Sequence, residues 1–183
     1  MWNRFCRWLL YRRLAWTANV TVDLPEKFIV CLAPHTSNRD FFIGQLSAGA
    51  EHLRMGFLMK REWFFWPLGS FFRALGGIPV WRDKKRGTTD LLAERARATD
   101  GFRICITPEG TRKATTEWKR GFYFIALKAN IPILLFGLDY KRRLIECTRT
   151  IVPSSDVEAD MRTIKAYFQH YQGKKPENFT TGE

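Results

Sequence analysis

A histidine and an aspartate five positions apart form the strongest candidate for chemistry in this sequence. His35 and Asp40 follow an apolar run at residues 28–33 that is typical of a buried strand, and Pro34 ends that run. A carboxylate that accepts a proton from one imidazole nitrogen leaves the other nitrogen free to act as a base. The pair therefore predicts a general base, and the alternative is a structural His–Asp pair at a strand end.

The sequence offers no serine or cysteine that stands out as a nucleophile for this pair. We therefore expect the attacking group to be a hydroxyl that the substrate supplies. The four cysteines are far apart and lack the pairing of metal ligands, and they are Cys6, Cys31, Cys105 and Cys147. This pattern favours a reducing compartment, and we expect neither a bound metal nor another cofactor.

Cationic and loop-forming residues follow three further strand-like runs. Lys60 and Arg82 each come at the end of such a run, and residues 109–112, which are Glu109, Gly110, Thr111 and Arg112, follow another. Because the carboxyl ends of parallel strands meet at one edge of a sheet, we expect these residues to share a cleft with His35. The planar guanidinium of arginine suits a phosphate held at a set distance from a base.

Strand-like and helix-like segments alternate along the chain. Strands are predicted at residues 28–33, 55–59, 77–82, 103–107, 131–138 and 144–150, and helices at 38–48, 88–98, 118–129 and 155–171. This alternation predicts a single α/β domain with a mostly parallel mixed sheet flanked by helices. Residues 17–172 would form that domain, and we expect the polar tail at residues 173–183 to be loose.

The composition predicts a polyanionic partner. The chain has 30 Lys and Arg against 18 Asp and Glu, which gives a net charge of +12. Nucleic acid, an anionic membrane and a phosphorylated substrate all fit that charge. The longest stretch without Asp, Glu, Lys or Arg, residues 28–38, is too short for the roughly 18 to 20 residues that cross a bilayer.

Residues 1–16 predict a basic, aromatic, amphipathic helix. They hold no acidic residue, and their arginines Arg4, Arg7, Arg12 and Arg13 alternate with tryptophan, phenylalanine and leucine. Such a helix can lie in the membrane interface without crossing it, and we expect the domain to fold without it. The alternative is an ordinary helix packed on the domain. A second aromatic segment, residues 63–72, predicts lipid contact, the wall of an acyl-chain groove, or plain core packing.

Four sequence blocks resemble the 1-acylglycerol-3-phosphate acyltransferases of glycerolipid synthesis. Residues 35–40 look like the family's His-x-x-x-x-Asp motif, and residues 77–82, Gly-Ile-Pro-Val-Trp-Arg, are similar to its second block. Residues 107–112 match the Phe-Pro-Glu-Gly-Thr-Arg block except at Thr107, and Ile131-Pro132 matches the fourth block. The resemblance covers residues 28–138, with the four blocks in the family's order and spacing.

The resemblance implies transfer of a fatty acyl group from acyl-CoA or acyl carrier protein to the free hydroxyl of lysophosphatidic acid, giving phosphatidic acid. His35 would be the base and Asp40 its support, while Arg82, Arg112 and Lys60 would bind the phosphate. Glu109, Gly110 and Thr111 would contribute loop, oxyanion or phosphate contacts. We expect a peripheral enzyme on the cytoplasmic face of an anionic membrane, with no nucleic acid bound.

Two alternatives to this activity remain open. The same chemistry could act on another acceptor, such as glycerol 3-phosphate or a lyso-aminolipid. A non-catalytic basic module that binds membrane or nucleic acid would share the charge and the interleaved aromatics, but it would not require His35, Asp40 and Glu109 to coincide.

Overall fold

One mixed sheet forms the centre of the protein. Within residues 1–80 and 85–182, which the computed structural model describes, the sheet has eight strands in the order β1-β7-β6-β2-β5-β3-β4, with β8 beside β6. The strands are β1 (Thr17–Val20), β2 (Lys27–Ala33), β3 (Gly56–Lys60), β4 (Gly77–Val80), β5 (Phe102–Ile106), β6 (Ile133–Asp139), β7 (Leu144–Cys147) and β8 (Thr150–Ile151).

The middle of the sheet is parallel and buried on both faces. Strand β2 lies between β5 and β6 and pairs in parallel with both, and six of its seven residues are buried. Strands β7 and β8 run antiparallel to β6. The predicted α/β domain with a mostly parallel mixed sheet is confirmed, although the strand predicted at residues 144–150 divides in two.

Six α-helices cover the described parts of the two faces. They are α1 (Trp2–Arg7), α2 (Arg39–Ala50), α3 (Leu68–Ala74), α4 (Lys85–Ala98), α5 (Gly121–Ala129) and α6 (Val157–Phe168). One core cluster joins α4, α5 and α6 to one face of β2, and a second joins α1 and α2 to the other face. Of the described residues, no helix is both long and apolar enough to cross a membrane.

The N-terminal segment packs against the domain. Helix α1 continues as a π-helix at Trp8–Arg13, and Cys6, Leu10 and Trp16 are buried in the second core cluster. The Asn3 side chain donates to the Gly49 carbonyl at 2.8 Å. Removing residues 1–16 would therefore expose the core side chains that these residues cover.

The tail beyond residue 172 is also packed rather than loose. The Lys175 amide donates to Thr36 Oγ1 at 3.2 Å, and the Thr180 carbonyl accepts from Trp118 Nε1 at 3.3 Å. Gly173 lies so close to Thr36 that an added Cβ would be 2.6 Å from its methyl carbon. The tail thus supports the turn that carries His35.

Two helix starts differ from the sequence prediction. Helix α6 begins at Val157 and not at residue 155, and Asp156 caps it, because its carboxylate accepts the Ala159 amide at 3.0 Å. Helix α5 begins at Gly121, so Trp118 precedes it and packs in the first core cluster. In both places the local pattern predicts the helix correctly and its first turn incorrectly.

The aromatic segment at residues 63–72 is divided between core and surface. Phe64 and Phe72 are half-buried, with ring centroids 6.2 Å apart. The other four rings of the segment are exposed, and they belong to Trp63, Phe65, Trp66 and Phe71. Core packing therefore explains only part of this segment.

Candidate active site

The predicted base and its carboxylate meet beyond the end of β2. His35 Nδ1 lies 3.2 Å from Asp40 Oδ2, close enough for an ion pair but not aligned as a hydrogen bond. The His35 side chain is 21% exposed and that of Asp40 is 0% exposed. The other ring nitrogen, Nε2, has no partner among the described residues, so it is free to accept a proton.

The turn between β2 and α2 holds the Asp40 carboxylate. The amides of Thr36 and Ser37 both donate to Asp40 Oδ2, at 2.7 and 2.8 Å. Asp40 also lies in the first turn of α2, where the helix dipole favours a negative charge. Ser37 Oγ accepts the Arg39 amide at 2.9 Å, a serine turn that leads into α2.

Glu109 links the β5 loop to this turn. It is 4% exposed, and its Oε1 accepts the backbone amide of His35 at 2.8 Å. No ion pair joins Glu109 to Arg112 in the part of the chain that the structure describes. Glu109 instead fixes the backbone of the candidate base.

The environment of Glu109 favours its protonated form. Burial raises the pKa of Glu109 to about 7, against the lowering effects of its backbone hydrogen bonds and of His35, and the nearby Asp40 charge raises it further. Its Oε2 is buried without a hydrogen-bond partner among the described residues. The site thus holds a buried carboxyl group with one unpartnered oxygen close to the His35–Asp40 pair.

We predict that Glu109→Gln flattens the pH dependence of stability. A carboxyl whose pKa is raised on folding binds its proton more tightly in the folded state, so the unfolding free energy falls as pH rises from 4.5 to about 7. The shift corresponds to roughly 3 kcal/mol, which the glutamine variant should regain at pH 8. Urea unfolding between pH 4 and 8 measures it, with the exposed Glu62→Gln as control. Parallel curves for wild type and Glu109→Gln would contradict this assignment.

The loop after Glu109 presents backbone amides and a cation. Gly110 has a φ of +63° and donates its amide to the Thr107 carbonyl at 3.2 Å, so that amide is already used in the turn. Among the described residues, the amides of Thr111 and Arg112 have no acceptor. The Arg112 side chain is exposed and also lacks a described partner, so these groups are available to an anion.

Of the other two predicted phosphate-binding cations, only Lys60 lies in the part of the chain that the structure describes. Lys60 ends β3, one strand beyond β5, at the same edge of the sheet as His35 and with its side chain exposed. Neighbouring strands are about 4.8 Å apart, so roughly 10 Å separates β3 from β2. Arg82 lies outside the described residues.

Two residues at this edge were not predicted as site residues. Tyr140, just after β6, donates its hydroxyl to Asp40 Oδ1 at 2.7 Å. Lys119 lies over Gly110, where its Cγ would be 3.2 Å from an added Cβ. The only sequence signal for Tyr140 is its place at the end of an apolar strand, whereas Lys119 belongs to a visibly basic segment.

The side chains of the described ranges include no group of three or more histidine, cysteine, aspartate and glutamate residues placed to bind a metal. His35 contacts Asp40, and the Asp40 and Glu109 carboxylates accept backbone amides of Thr36 and His35.

Comparisons with known proteins agree with the fold. The protein-family model described as Acyltransferase matches residues 18–137, which is more than half of the chain. A crystal structure of the 1-acyl-sn-glycerophosphate (LPA) acyltransferase PlsC from Thermotoga maritima is similar, with a TM-score of 0.57 and 18% identity, over 93% of this chain and 81% of that one. Among curated proteins, no sequence matches significantly.

Proposed function

The chain belongs to the acyltransferase family, and we propose that it acylates the free hydroxyl of 1-acylglycerol-3-phosphate to form phosphatidic acid in phospholipid synthesis. Acyl-CoA or acyl carrier protein would supply the acyl group. The observation that carries the proposal is the His35–Asp40 pair, which Glu109 ties to the loop that carries the exposed Arg112. The acceptor assignment is also consistent with the name of the structurally similar PlsC.

The free Nε2 of His35 supports direct transfer to the acceptor. His35 would take the hydroxyl proton as the acceptor oxygen attacks the thioester carbonyl, and Asp40 would stabilise the imidazolium. Collapse of the tetrahedral intermediate would break the carbon–sulfur bond, and the thiolate would leave with the proton from His35. No acyl-enzyme is needed, which agrees with the lack of a candidate nucleophile.

The β5 loop would bind the acceptor's phosphate. The Arg112 guanidinium can make charge-assisted hydrogen bonds to phosphate oxygens, and the amides of Thr111 and Arg112 can add two more donors. Because Glu109 ties this loop to the His35 backbone at 2.8 Å, the phosphate and the base would be held at a fixed separation. Lys60 and Arg82 would extend the cationic side of this cleft.

We predict that Arg112→Ala mainly weakens use of the phosphorylated acceptor. Losing a charge-assisted hydrogen bond costs about 1.5 to 3 kcal/mol, so the KM for lysophosphatidic acid should rise about tenfold to a hundredfold. The KM for acyl-CoA should change little. Lys113→Ala, an exposed cation of the same loop, is the matched control. A rise confined to the acyl-CoA KM would mean that we have assigned the two substrates to the wrong ends of the cleft.

We also propose that the enzyme works on the cytoplasmic face of an anionic membrane as a peripheral protein. Trp2 and Phe5 on α1 and Trp8 at the start of the following π-helix are 60%, 47% and 53% exposed, and their rings lie next to one another in a row. Exposed aromatic rings beside arginines are typical of segments that lie in the membrane interface. We call these three residues the α1 aromatic row; they stay about half exposed although Asn3 and Cys6 of the same helix pack on the domain.

A second exposed cluster supports the same orientation. The crossovers β2–α2–β3 and β3–α3–β4 proceed in the same direction along the sheet, so right-handed connections place α2 and α3 on one face. Helix α1 packs on that face as well. Phe71, on α3, and the α1 aromatic row therefore belong to one face of the sheet, and the exposed rings of Trp63, Phe65 and Trp66 lie in the segment that leads into α3.

A direct assay tests the activity. Purified protein, with His35→Ala as control for host enzymes, is incubated with labelled acyl-CoA or acyl carrier protein and with lysophosphatidic acid, glycerol 3-phosphate or a lyso-aminolipid. We expect phosphatidic acid from lysophosphatidic acid. Equal turnover of another acceptor would reassign the substrate, and a lack of transfer to all three acceptors would contradict the proposed function.

A further inference from the structure

The Asp40 carboxylate has a different set of partners on each oxygen. Oδ2 accepts the amides of Thr36 and Ser37 and faces His35 Nδ1, so its partners all belong to its own turn. Oδ1 accepts the hydroxyl of Tyr140 at 2.7 Å, from the end of β6 and 100 residues away. Among the described residues, Tyr140 is the single long-range partner of this carboxylate.

We propose that Tyr140 is a positioning residue for acyl transfer, which holds Asp40 Oδ1 so that Oδ2 faces the imidazole of His35. This inference rests on the proposed function, because it assigns Tyr140 a part in keeping the candidate base productive. Tyr140 lies outside the four sequence blocks at residues 35–40, 77–82, 107–112 and 131–132.

The carboxylate needs such a restraint because its terminal torsion is soft. Rotation about the Cβ–Cγ bond of aspartate is broad and roughly two-fold, so a backbone turn alone fixes it weakly. His35 Nδ1 already approaches Oδ2 off the line of a hydrogen bond. A small rotation of the carboxylate would therefore change the contact on which the tautomer of His35 depends. Without the hydroxyl, Oδ1 would also be a buried acceptor lacking a partner, which favours rearrangement.

Tyr140 is itself held from three directions. Its amide donates to the Gln172 carbonyl at 2.8 Å, and its ring meets Trp16 edge-on at 5.0 Å between centroids. Lys174 Nζ lies 6.0 Å from the ring centroid. Burial, and then the bond to Asp40, raise the pKa of the Tyr140 hydroxyl, so it stays protonated and donates at neutral pH. The N-terminal segment and the tail thus both support this contact.

Tyr140→Phe tests the proposal, because it removes the hydroxyl and keeps the ring that packs on Trp16. Loss of a group that orients a metal ligand costs about 10- to 100-fold, and by analogy we expect a kcat lower by about that factor, with both KM values within about twofold of wild type. Tyr123→Phe is the matched control, since its hydroxyl also donates to a carboxylate, Asp160 Oδ2, at 2.7 Å. A similar loss in both variants would overturn the proposal.

A double-mutant cycle shows whether Tyr140 acts through Asp40. In an Asp40→Asn background the support for His35 is already impaired, so the Tyr140→Phe effect should shrink to less than about threefold. An undiminished loss in that background would show that Tyr140 acts by another route and would overturn the proposal.

The tautomer of His35 gives a readout that needs no substrate. In ¹⁵N NMR spectra of the full chain we expect wild type and Tyr123→Phe to hold the proton on Nδ1, and Tyr140→Phe to show a mixture of tautomers. An unchanged spectrum together with an unchanged kcat would overturn the proposal. If wild type transfers no acyl group, the proposed function fails, and a tautomer change in Tyr140→Phe would still support the positioning role.

A second variant covers the case in which near-UV circular dichroism shows that Tyr140→Phe has lost its tertiary structure. Substituting 3-fluorotyrosine at position 140 keeps the ring and makes the hydroxyl a stronger donor to Asp40. The imidazolium is then stabilised less, so the acidic limb of kcat/KM should move to lower pH. Glu109, Arg39 and Lys174, the other charged groups near His35, Asp40 and Tyr140, are the same in both proteins. An unmoved limb would overturn the proposal.

Discussion

His35→Ala should fold normally and lose about 10²- to 10⁴-fold in kcat for acyl transfer, the largest effect that we expect of any single substitution in this chain. The variant removes the proposed base outright, and general base catalysis contributes roughly 10²- to 10⁴-fold. Asp40→Asn should lose less, because Asp40 only orients the imidazole and stabilises its cation. Initial rates with labelled acyl-CoA and lysophosphatidic acid measure both effects.

The control for His35→Ala is an exposed histidine of the same chain. His170 is exposed after α6 and makes no described side-chain contact, so His170→Ala should keep wild-type rates. Rates for His35→Ala within tenfold of wild type would rule out His35 as the base. An Asp40→Asn variant slower than His35→Ala would instead mean that Asp40 mainly maintains the structure of the turn.

The sequence predicts the middle of the sheet well because burial and function impose strong local patterns there. Strand β2 is buried on both faces, so it appears as a continuous apolar run, and the His35–Asp40 spacing follows from the turn that joins it to α2. Strand β1 was missed for the opposite reason. All four of its residues are exposed at the sheet edge, so no alternation of apolar and polar residues marks it.

The contacts that support the candidate site could not be predicted, because they join distant parts of the chain. Glu109 belongs to a recognisable block, but its bond to the His35 amide spans 74 residues and has no local signature. Tyr140 reaches Asp40 across 100 residues in the same way. Such contacts depend on the parallel pairing of β2 with β5 and β6, which brings three strand ends to one edge.

The N-terminal segment shows how one pattern can serve two purposes. Its aromatic and apolar residues predicted a membrane-interface helix, and an ordinary packed helix was the alternative. The structure divides these residues, since Cys6, Leu10 and Trp16 are buried while Trp2, Phe5 and Trp8 are exposed. Point substitutions in the α1 aromatic row therefore test the membrane proposal better than deletion of residues 1–16, which would uncover the core.

The triple variant Trp2→Ser, Phe5→Ser and Trp8→Ser should bind anionic vesicles about 10³-fold more weakly than wild type. Each ring exposes about half of its area, and burying that area in the interface is worth roughly 1.5 kcal/mol, or 4 to 5 kcal/mol for the three. Nearby arginines would each add about 1 kcal/mol on an anionic surface, so binding should also weaken with added salt. Sedimentation with anionic and with zwitterionic vesicles measures both the contribution of the rings and that of the arginines.

The matched control removes exposed apolar residues away from the α1 aromatic row. Leu91 and Phe124 lie on α4 and α5, which cover the opposite face of the sheet, and Val152 follows β8; their exposures are 62%, 37% and 69%. A variant with serine at these three positions should bind vesicles like wild type, because these side chains do not contact lipid.

If the α1 variant also bound vesicles like wild type, the α1 aromatic row would not be the membrane contact. The exposed rings of Trp63, Phe65, Trp66 and Phe71 would then be the group to substitute, and α1 would serve only to cover the second core cluster.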